Sequence, residues 1–189
     1  MIVGILPAVG SGLDTMARTG QLGRLTRYLR WYSTLGEVRF FSYLNEGVET
    51  YHWRSFGLDP HRLVAHEHSG SPLRALLSPL KNPAAWRTCS VLRAMNLLGA
   101  IPALAARCFW GTPFVLSVGA DYREIARLHG RSPLHQRKWA WLERVALRLA
   151  SAVLVSNPLL AARLQTKHPK ARIIAHGNWV DPTLFCPAD

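Results

Sequence analysis

Short apolar runs recur along this chain, each cut off by a turn residue and each followed by a stretch with helical spacing. That alternation narrows the fold more than any other feature. Ile2 to Leu6 is a nearly continuous apolar run that stops at Pro7. Such a run, without polar alternation, reads as a parallel strand buried on both faces. Phe114 to Val118 repeats the pattern after Gly111-Thr112-Pro113, and Ala152 to Val155 and Arg172 to Ala175 repeat it again. Glu37 to Tyr43 reads as the second strand and Leu63 to His66 as a weaker third. Between them, Gln21 to Thr34 places Leu22, Leu25, Leu29 and Tyr32 near helical spacing, with Gly36 as its stop. Residues 71 to 107 read as mostly helical, punctuated by Pro72, Pro79, Pro83 and Pro102. Further helices are predicted from Pro133 to Ala150 and from Asn157-Pro158 to about Lys167. Strands alternating with helices imply an α/β fold: a Rossmann-like parallel sheet with helices on both faces. Such sheets bind ligands at the carboxyl ends of their strands, which directs attention to the loops after Leu6, Tyr43, Val118, Val155 and Ala175.

The bulk properties agree with one folded domain. A length of 189 residues suits a single domain. With 49% hydrophobic residues and a mean hydropathy of +0.04, the chain can bury a real core. Lys and Arg total 23 against 11 Asp and Glu, a formal charge of +12 that attracts phosphate-bearing partners without choosing among them. The cations are spread along the chain, which argues against a basic tail or a localisation signal. Cys89, Cys108 and Cys186 lie far apart and form no Cys-x-x-Cys pair, so neither a zinc site nor a disulfide framework is expected, and the odd count fits a reducing compartment. The start has no basic n-region and no long apolar run, so no signal peptide is expected. The apolar stretch from Met95 to Phe109 is interrupted by Asn96, Pro102 and Arg107 and is too short to span a bilayer.

Three segments carry a family resemblance. Gly111 to Asp121 (Gly-Thr-Pro-Phe-Val-Leu-Ser-Val-Gly-Ala-Asp) resembles the strand and following Gly-x-Asp loop of glycosyltransferase family 4. Glu143 to Ser156 resembles that family's helix with an early Glu leading into a strand that ends in Ser. Ile173 to Pro187 is similar to its closing signature, Asn-Gly-Val-Asp followed by Phe-x-Pro. The Gly-rich loop after the first strand agrees, and the order of all four elements is more specific than any one. The chain departs from the pattern at Val118, where many members carry His or Arg. It departs again at Trp179, which replaces the Gly of Asn-Gly-Val-Asp, and at Gly10-Ser11-Gly12, whose glycines are not adjacent.

The resemblance implies one half of a GT-B architecture, in which two Rossmann-like domains face across a cleft. Residues 1 to 176 would form the N-terminal, acceptor-side domain, and residues 177 to 189 the interdomain linker. The donor-binding domain would lie outside this chain, which would be either a subunit served by a separately encoded donor-binding partner or a truncated product. The implied activity is retaining hexosyl transfer from a nucleotide-sugar co-substrate to a sugar or lipid-linked acceptor, such as a cell-envelope glycan. The implied setting is cytoplasmic, peripheral on the inner face of the membrane. No cofactor and no metal is expected to be held by this domain.

Each candidate site residue has a structural alternative. Gly10, Ser11 and Gly12, with Asp14 just beyond, follow a strand and precede a helix, where backbone N–H groups can approach a phosphate or sugar; an ordinary turn is the alternative. Asp121 is the candidate catalytic residue, placed to hydrogen-bond acceptor hydroxyls or act as a base, against service as a helix cap ahead of Arg123-Glu124. Tyr122 would stack on a sugar or lipid. Ser156 would line the cleft, while Asn157 caps the helix at Pro158. His176 and Asn178 lie where the chain would cross to a second domain. His66 and His68 around Glu67 match no metal spacing. Arg74, Lys81, Arg87, Arg93 and Arg107, set among Leu, Trp86 and Met95, suit either a membrane-surface helix pair or helices packing their apolar face on the sheet.

Two rival functions remain beside acceptor binding for sugar transfer. One is a non-catalytic subunit that recruits acceptor or membrane for a split glycosyltransferase. The other is a nucleic-acid-binding Rossmann-like domain, prompted by charge alone; no nucleic-acid-recognition signature is visible, and no nucleic-acid partner is expected.

Overall fold

The computed structural model describes residues 1–8, 16, 18–20, 22–41 and 72–177. The expected strand at Leu63 to His66, the Gly10-Ser11-Gly12 loop with Asp14, the His66-Glu67-His68 group, Asn178 and Trp179 lie outside these residues.

The described chain is a six-stranded, all-parallel sheet with helices on both faces, a Rossmann-like α/β fold. β1 (Ile2–Leu6) leads to α1 (Leu22–Ser33) and β2 (Glu37–Phe40). α2 (Pro72–Lys81) and α3 (Pro83–Arg87) precede β3 (Val91–Ala94), and α4 (Ala100–Trp110) leads to β4 (Phe114–Val118). α5 (Tyr122–Leu128) and α6 (Pro133–Leu149) connect to β5 (Ala152–Val155), and α7 (Pro158–Lys167) to β6 (Ile173–Ala175). The strand order is β2-β1-β3-β4-β5-β6. From β1 the chain steps outward to β2, then returns past β1 and runs the other way. Right-handed crossovers then require the helix after β1 to lie on one face and those after β3, β4 and β5 on the other.

The two cores follow that division. On one face Leu25 and Leu29 of α1 pack with Val3, Ile5, Val38 and Phe40. On the other, Leu92, Ala94, Leu116, Val153 and Val155 are covered by α4, α6 and α7. α4 buries six residues from Ala100 to Ala106, mostly alanines, which lets its backbone ride close to the central strands. Pro102 falls in the first turn of α4, where its missing N–H would have had no helical partner. Gly99, just before α4, is required by contact: a Cβ there would sit 2.6 Å from the Pro7 carbonyl oxygen and 2.8 Å from that of Leu6.

Residues 72 to 107 are mostly helical, as expected, but they also hold β3, a strand that expectation lacks. Leu, Arg and Ala are good helix formers, and local propensity favours helix there. Tertiary pairing overrides it, with β1 on one side (Val3 with Val91 through Leu6 with Ala94) and β4 on the other (Leu92 with Phe114 through Ala94 with Leu116). α2 differs from the expectation in another way. It buries Ala75 and Ser78, the former against Leu98 and Ile101. Leu73, Leu76, Leu77 and Leu80, one helical stripe, face outward, with Leu73 65% exposed. Pro79 within α2 has no N–H for the Ala75 carbonyl, and the Ser78 hydroxyl donates to that carbonyl instead, at 2.7 Å.

Among the described residues no helix is long and apolar enough to cross a membrane.

Candidate functional site

A cleft of about 440 Å³ opens at the carboxyl ends of the strands, on the face that carries α1. Its position follows from the topology. Between β1 and β3 the direction of winding reverses, the crossovers diverge to opposite faces, and a crevice is left outside the strand ends. Ile5, Leu25, Leu29, Met95 and Leu154 supply its apolar wall, and Tyr28 and Tyr32 of α1 its aromatic side. Arg93, Asn96, Ser117, Ser156 and His176 supply polar groups.

Four of these polar residues form a diagonal across the sheet. Arg93 is level with Val115 of β4, and Ser117 is two residues further along that strand on the same face. Ser117 is level with Leu154 of β5, and Ser156 is again two residues further. His176 lies one residue beyond the Val155–Ala175 pair, with its N–H donating to the Val155 carbonyl at 2.8 Å. The diagonal thus steps from the middle of the sheet at Arg93 to the open rim at His176.

The local chemistry of the diagonal is uneven. Arg93 is partly buried, and among the described residues its guanidinium has no hydrogen-bond or ion-pair partner. The Ser117 hydroxyl oxygen is buried, likewise without a partner there. Buried polar atoms are nearly always satisfied, so the open Ser117 hydroxyl stands out beside a cleft-lining guanidinium that no described residue pairs. The His176 Nδ1–H donates to the Gly177 carbonyl at 2.8 Å, which leaves Nε2 with its lone pair in the neutral ring. Asn96 is engaged: its Oδ1 accepts from the Gly99 amide at 2.9 Å and pins the turn into α4. No carboxylate is among the described residues that line the cleft.

Asp121 and Tyr122 sit elsewhere. Asp121 is the N-cap of α5; its Oδ1 accepts from the Glu124 amide at 3.0 Å and its Oδ2 from Lys167 Nζ at 3.1 Å. Partial burial pushes its pKa up, but the Glu124 amide and the Lys167 ammonium outweigh it, and the carboxyl is held below its ordinary value. Tyr122 stacks on Trp139 of α6, with ring centroids 5.0 Å apart and planes 21° from parallel. Burial raises its pKa, opposed by a hydrogen bond from the Leu97 backbone. Neither lines the cleft. Asn157 caps α7, its Oδ1 accepting from Leu159 N at 2.8 Å.

No protein-family model and no curated protein matches this chain.

Of the residues singled out from sequence, Ser156 and His176 therefore meet in the cleft. The sequence pattern alone presents Arg93 as one of five dispersed cations and Ser117 as part of an apolar strand. A signal for both exists once β3 is known. Val91, Arg93 and Met95 share one face of a central strand, and a charge there interrupts an otherwise apolar series. Ser117 does the same within Phe114-Val115-Leu116-Ser117-Val118. The described residues hold no group of three or more His, Cys, Asp and Glu side chains able to grip a metal ion.

Proposed function

We propose that this chain is the acceptor-binding domain of a retaining glycosyltransferase that resembles family 4. It presents an acceptor hydroxyl to a nucleotide-sugar held by a second, donor-binding domain across the cleft. The observation that carries the reading is the placement of the cleft at the reversal point of a parallel sheet. There hydroxyls, an imidazole, two tyrosines and an apolar wall converge, the mixture that suits the C–H faces and hydroxyls of a saccharide. In such a reaction the protein's share is to orient the hydroxyl and stabilise the departing diphosphate. Ser156 and His176 Nε2 serve the first task in this proposal, and the second belongs to the donor domain. Val118 occupies the position that is basic in many family members, and Arg93 is the one Lys or Arg among the described residues that line the cleft. Asp121, bound as cap and ion pair, is assigned a positioning role for α5 rather than that of a base.

The test is transfer from a panel of radiolabelled nucleotide-sugars to extracted membrane lipids, with this chain alone and mixed with the product of the gene next to its own. Transfer in the mixture, lost on Ser156→Ala with His176→Ala, supports the reading. Transfer by this chain alone overturns its acceptor-side role. Silence in both overturns sugar transfer.

The outward leucines of α2 favour a peripheral membrane location for the same domain. Leu73, Leu76, Leu77 and Leu80 form a solvent-facing stripe with Arg74 and Lys81 exposed beside it. An apolar stripe flanked by cations suits an anionic bilayer surface, where leucines enter the interface and the cations meet headgroups. The +12 charge of the chain strengthens that attraction. A domain held there would meet lipid-linked acceptors at the surface.

A further inference from the structure

We infer that Arg93 and Ser117 form an oxyanion subsite in the cleft, and that the molecule bound there carries a phosphate ester or a carboxylate. The inference deepens the acceptor reading, on which it rests in taking the oxyanion to belong to the acceptor.

The argument begins with the cost of Arg93. A guanidinium stays protonated in any protein environment, so it cannot relieve burial by losing charge. It stands on β3, between β1 and β4 in the middle of the sheet, level with Ile5 on one side and Val115 on the other. Along its own strand the same face carries Val91 and Met95, both packed with the apolar core under α1. A partly buried charge in that setting is costly unless it is paired or solvated from the cleft, and no described residue pairs it. The residue is not needed to complete the sheet, because an aliphatic side chain would extend the Val91 and Met95 series. What it adds is positive charge at the cleft, reached by a long stem that lies along apolar neighbours.

Ser117 adds a second open group at the diagonal position on the next strand. Its hydroxyl can donate to an oxyanion while the guanidinium donates two parallel N–H bonds, the fork that matches phosphate or carboxylate. Among the described lining residues no Asp or Glu opposes the anion. Ser156 and His176 Nε2 continue the diagonal outward and suit hydroxyls of the same ligand. The arrangement therefore has a polarity: charge seated deep at Arg93, hydroxyls toward the rim.

The experiment is titration of the whole chain with glucose, glucuronate and a glucose phosphate, each at two salt concentrations, followed by calorimetry. Wild type is compared with Arg93→Gln, Arg93→Lys and Ser117→Ala, and with Arg131→Gln, an exposed arginine away from the cleft. The charged sugars are expected to bind about tenfold or more tightly than glucose. Arg93→Gln should abolish that preference, Arg93→Lys should retain part of it, and Ser117→Ala should weaken it several-fold. Arg131→Gln should leave it within about twofold. Preference for the phosphate identifies a phosphorylated acceptor, and preference for glucuronate an acidic sugar. Equal binding of all three sugars, no binding of any, or equal losses in Arg93→Gln and Arg131→Gln overturns the subsite. A folding readout runs alongside: Arg93→Gln should leave the melting temperature within a few degrees of wild type, whereas a large fall would show the guanidinium to be held by the protein itself and sink the proposal. Because binding is read without transfer, Arg93-dependent binding with a silent transfer assay retains the subsite and removes the enzymatic reading. Transfer with no Arg93-dependent preference does the reverse.

Discussion

Lys167 at the end of α7 donates to Asp121 at the start of α5, Nζ to Oδ2 at 3.1 Å, joining two segments 46 residues apart. The same carboxylate caps α5 through the Glu124 amide. Asp121→Ala should therefore lower stability by about 1–2 kcal/mol through loss of the cap. Asp121→Asn keeps a good capping oxygen and should cost under about 1 kcal/mol, the share of a partly exposed ion pair. Urea unfolding of the two variants checks this order, and a transfer rate that survives in Asp121→Asn separates the capping role from that of a base.

The pH dependence of the same group has a definite sign. Its folded-state pKa lies below its ordinary value of 3.8. The unfolded chain thus takes up the proton first, and the contribution to stability is complete above 3.8 and lost as pH falls through the lower, folded value. The stability gap between wild type and Asp121→Asn should shrink when unfolding is measured below that range rather than at neutral pH. A gap that widens on acidification would contradict the assignment.

Gly99→Ala tests how closely α4 must approach β1. The glycine has φ −66°, which any residue adopts, so the demand is for space alone. An added Cβ would lie 2.6 Å from one backbone oxygen and 2.8 Å from another, neither of which can rotate away. The substitution should cost about 3 kcal/mol, the upper part of the overpacking range. Thermal unfolding would register it, and an unchanged melting temperature would mean that α4 shifts freely.

The α2 stripe predicts cosedimentation of the chain with vesicles containing acidic phospholipid, decreasing as salt is raised. Leu76→Ser with Leu77→Ser should reduce binding about tenfold or more, since each leucine that enters the interface contributes on the order of 1 kcal/mol. Both side chains are at least 40% exposed, so folding should be little changed. Equal pelleting of the variant and wild type would dismiss the stripe.

Thiol labelling should separate two cysteines. Cys108 is exposed. Cys89 is buried, and burial pushes its thiol up to about 11, with Arg39 opposing and Glu37 adding to the shift. At pH 8 roughly one Cys89 in a thousand would be thiolate. Iodoacetamide followed by peptide mapping should modify Cys108 in the native protein and Cys89 after unfolding. Rapid native labelling of Cys89 would show that the Trp86 side of the core opens.

The sequence by itself determined the α/β layout. Runs such as Ile2–Leu6 and Phe114–Val118 are continuously apolar because parallel strands are buried on both faces, and the capping residues Ser132 and Asn157 mark helix starts through purely local hydrogen bonds. Ser156 and His176 were legible as candidates since they directly follow recognisable strands. What the tertiary structure decided is whatever depends on neighbours distant in sequence. β3 is a strand because β1 and β4 flank it, against the helical preference of Leu92, Arg93 and Ala94. Asp121 lies outside the cleft lining and is paired with Lys167, a partner no local pattern announces. Leu76 and Leu77 face water because α4 accepts the small side of α2, Ala75 and Ser78, and not its large one. The cleft itself, with Arg93 and Ser117 as diagonal neighbours, exists through the register of four strands, and register is a property of the assembled sheet.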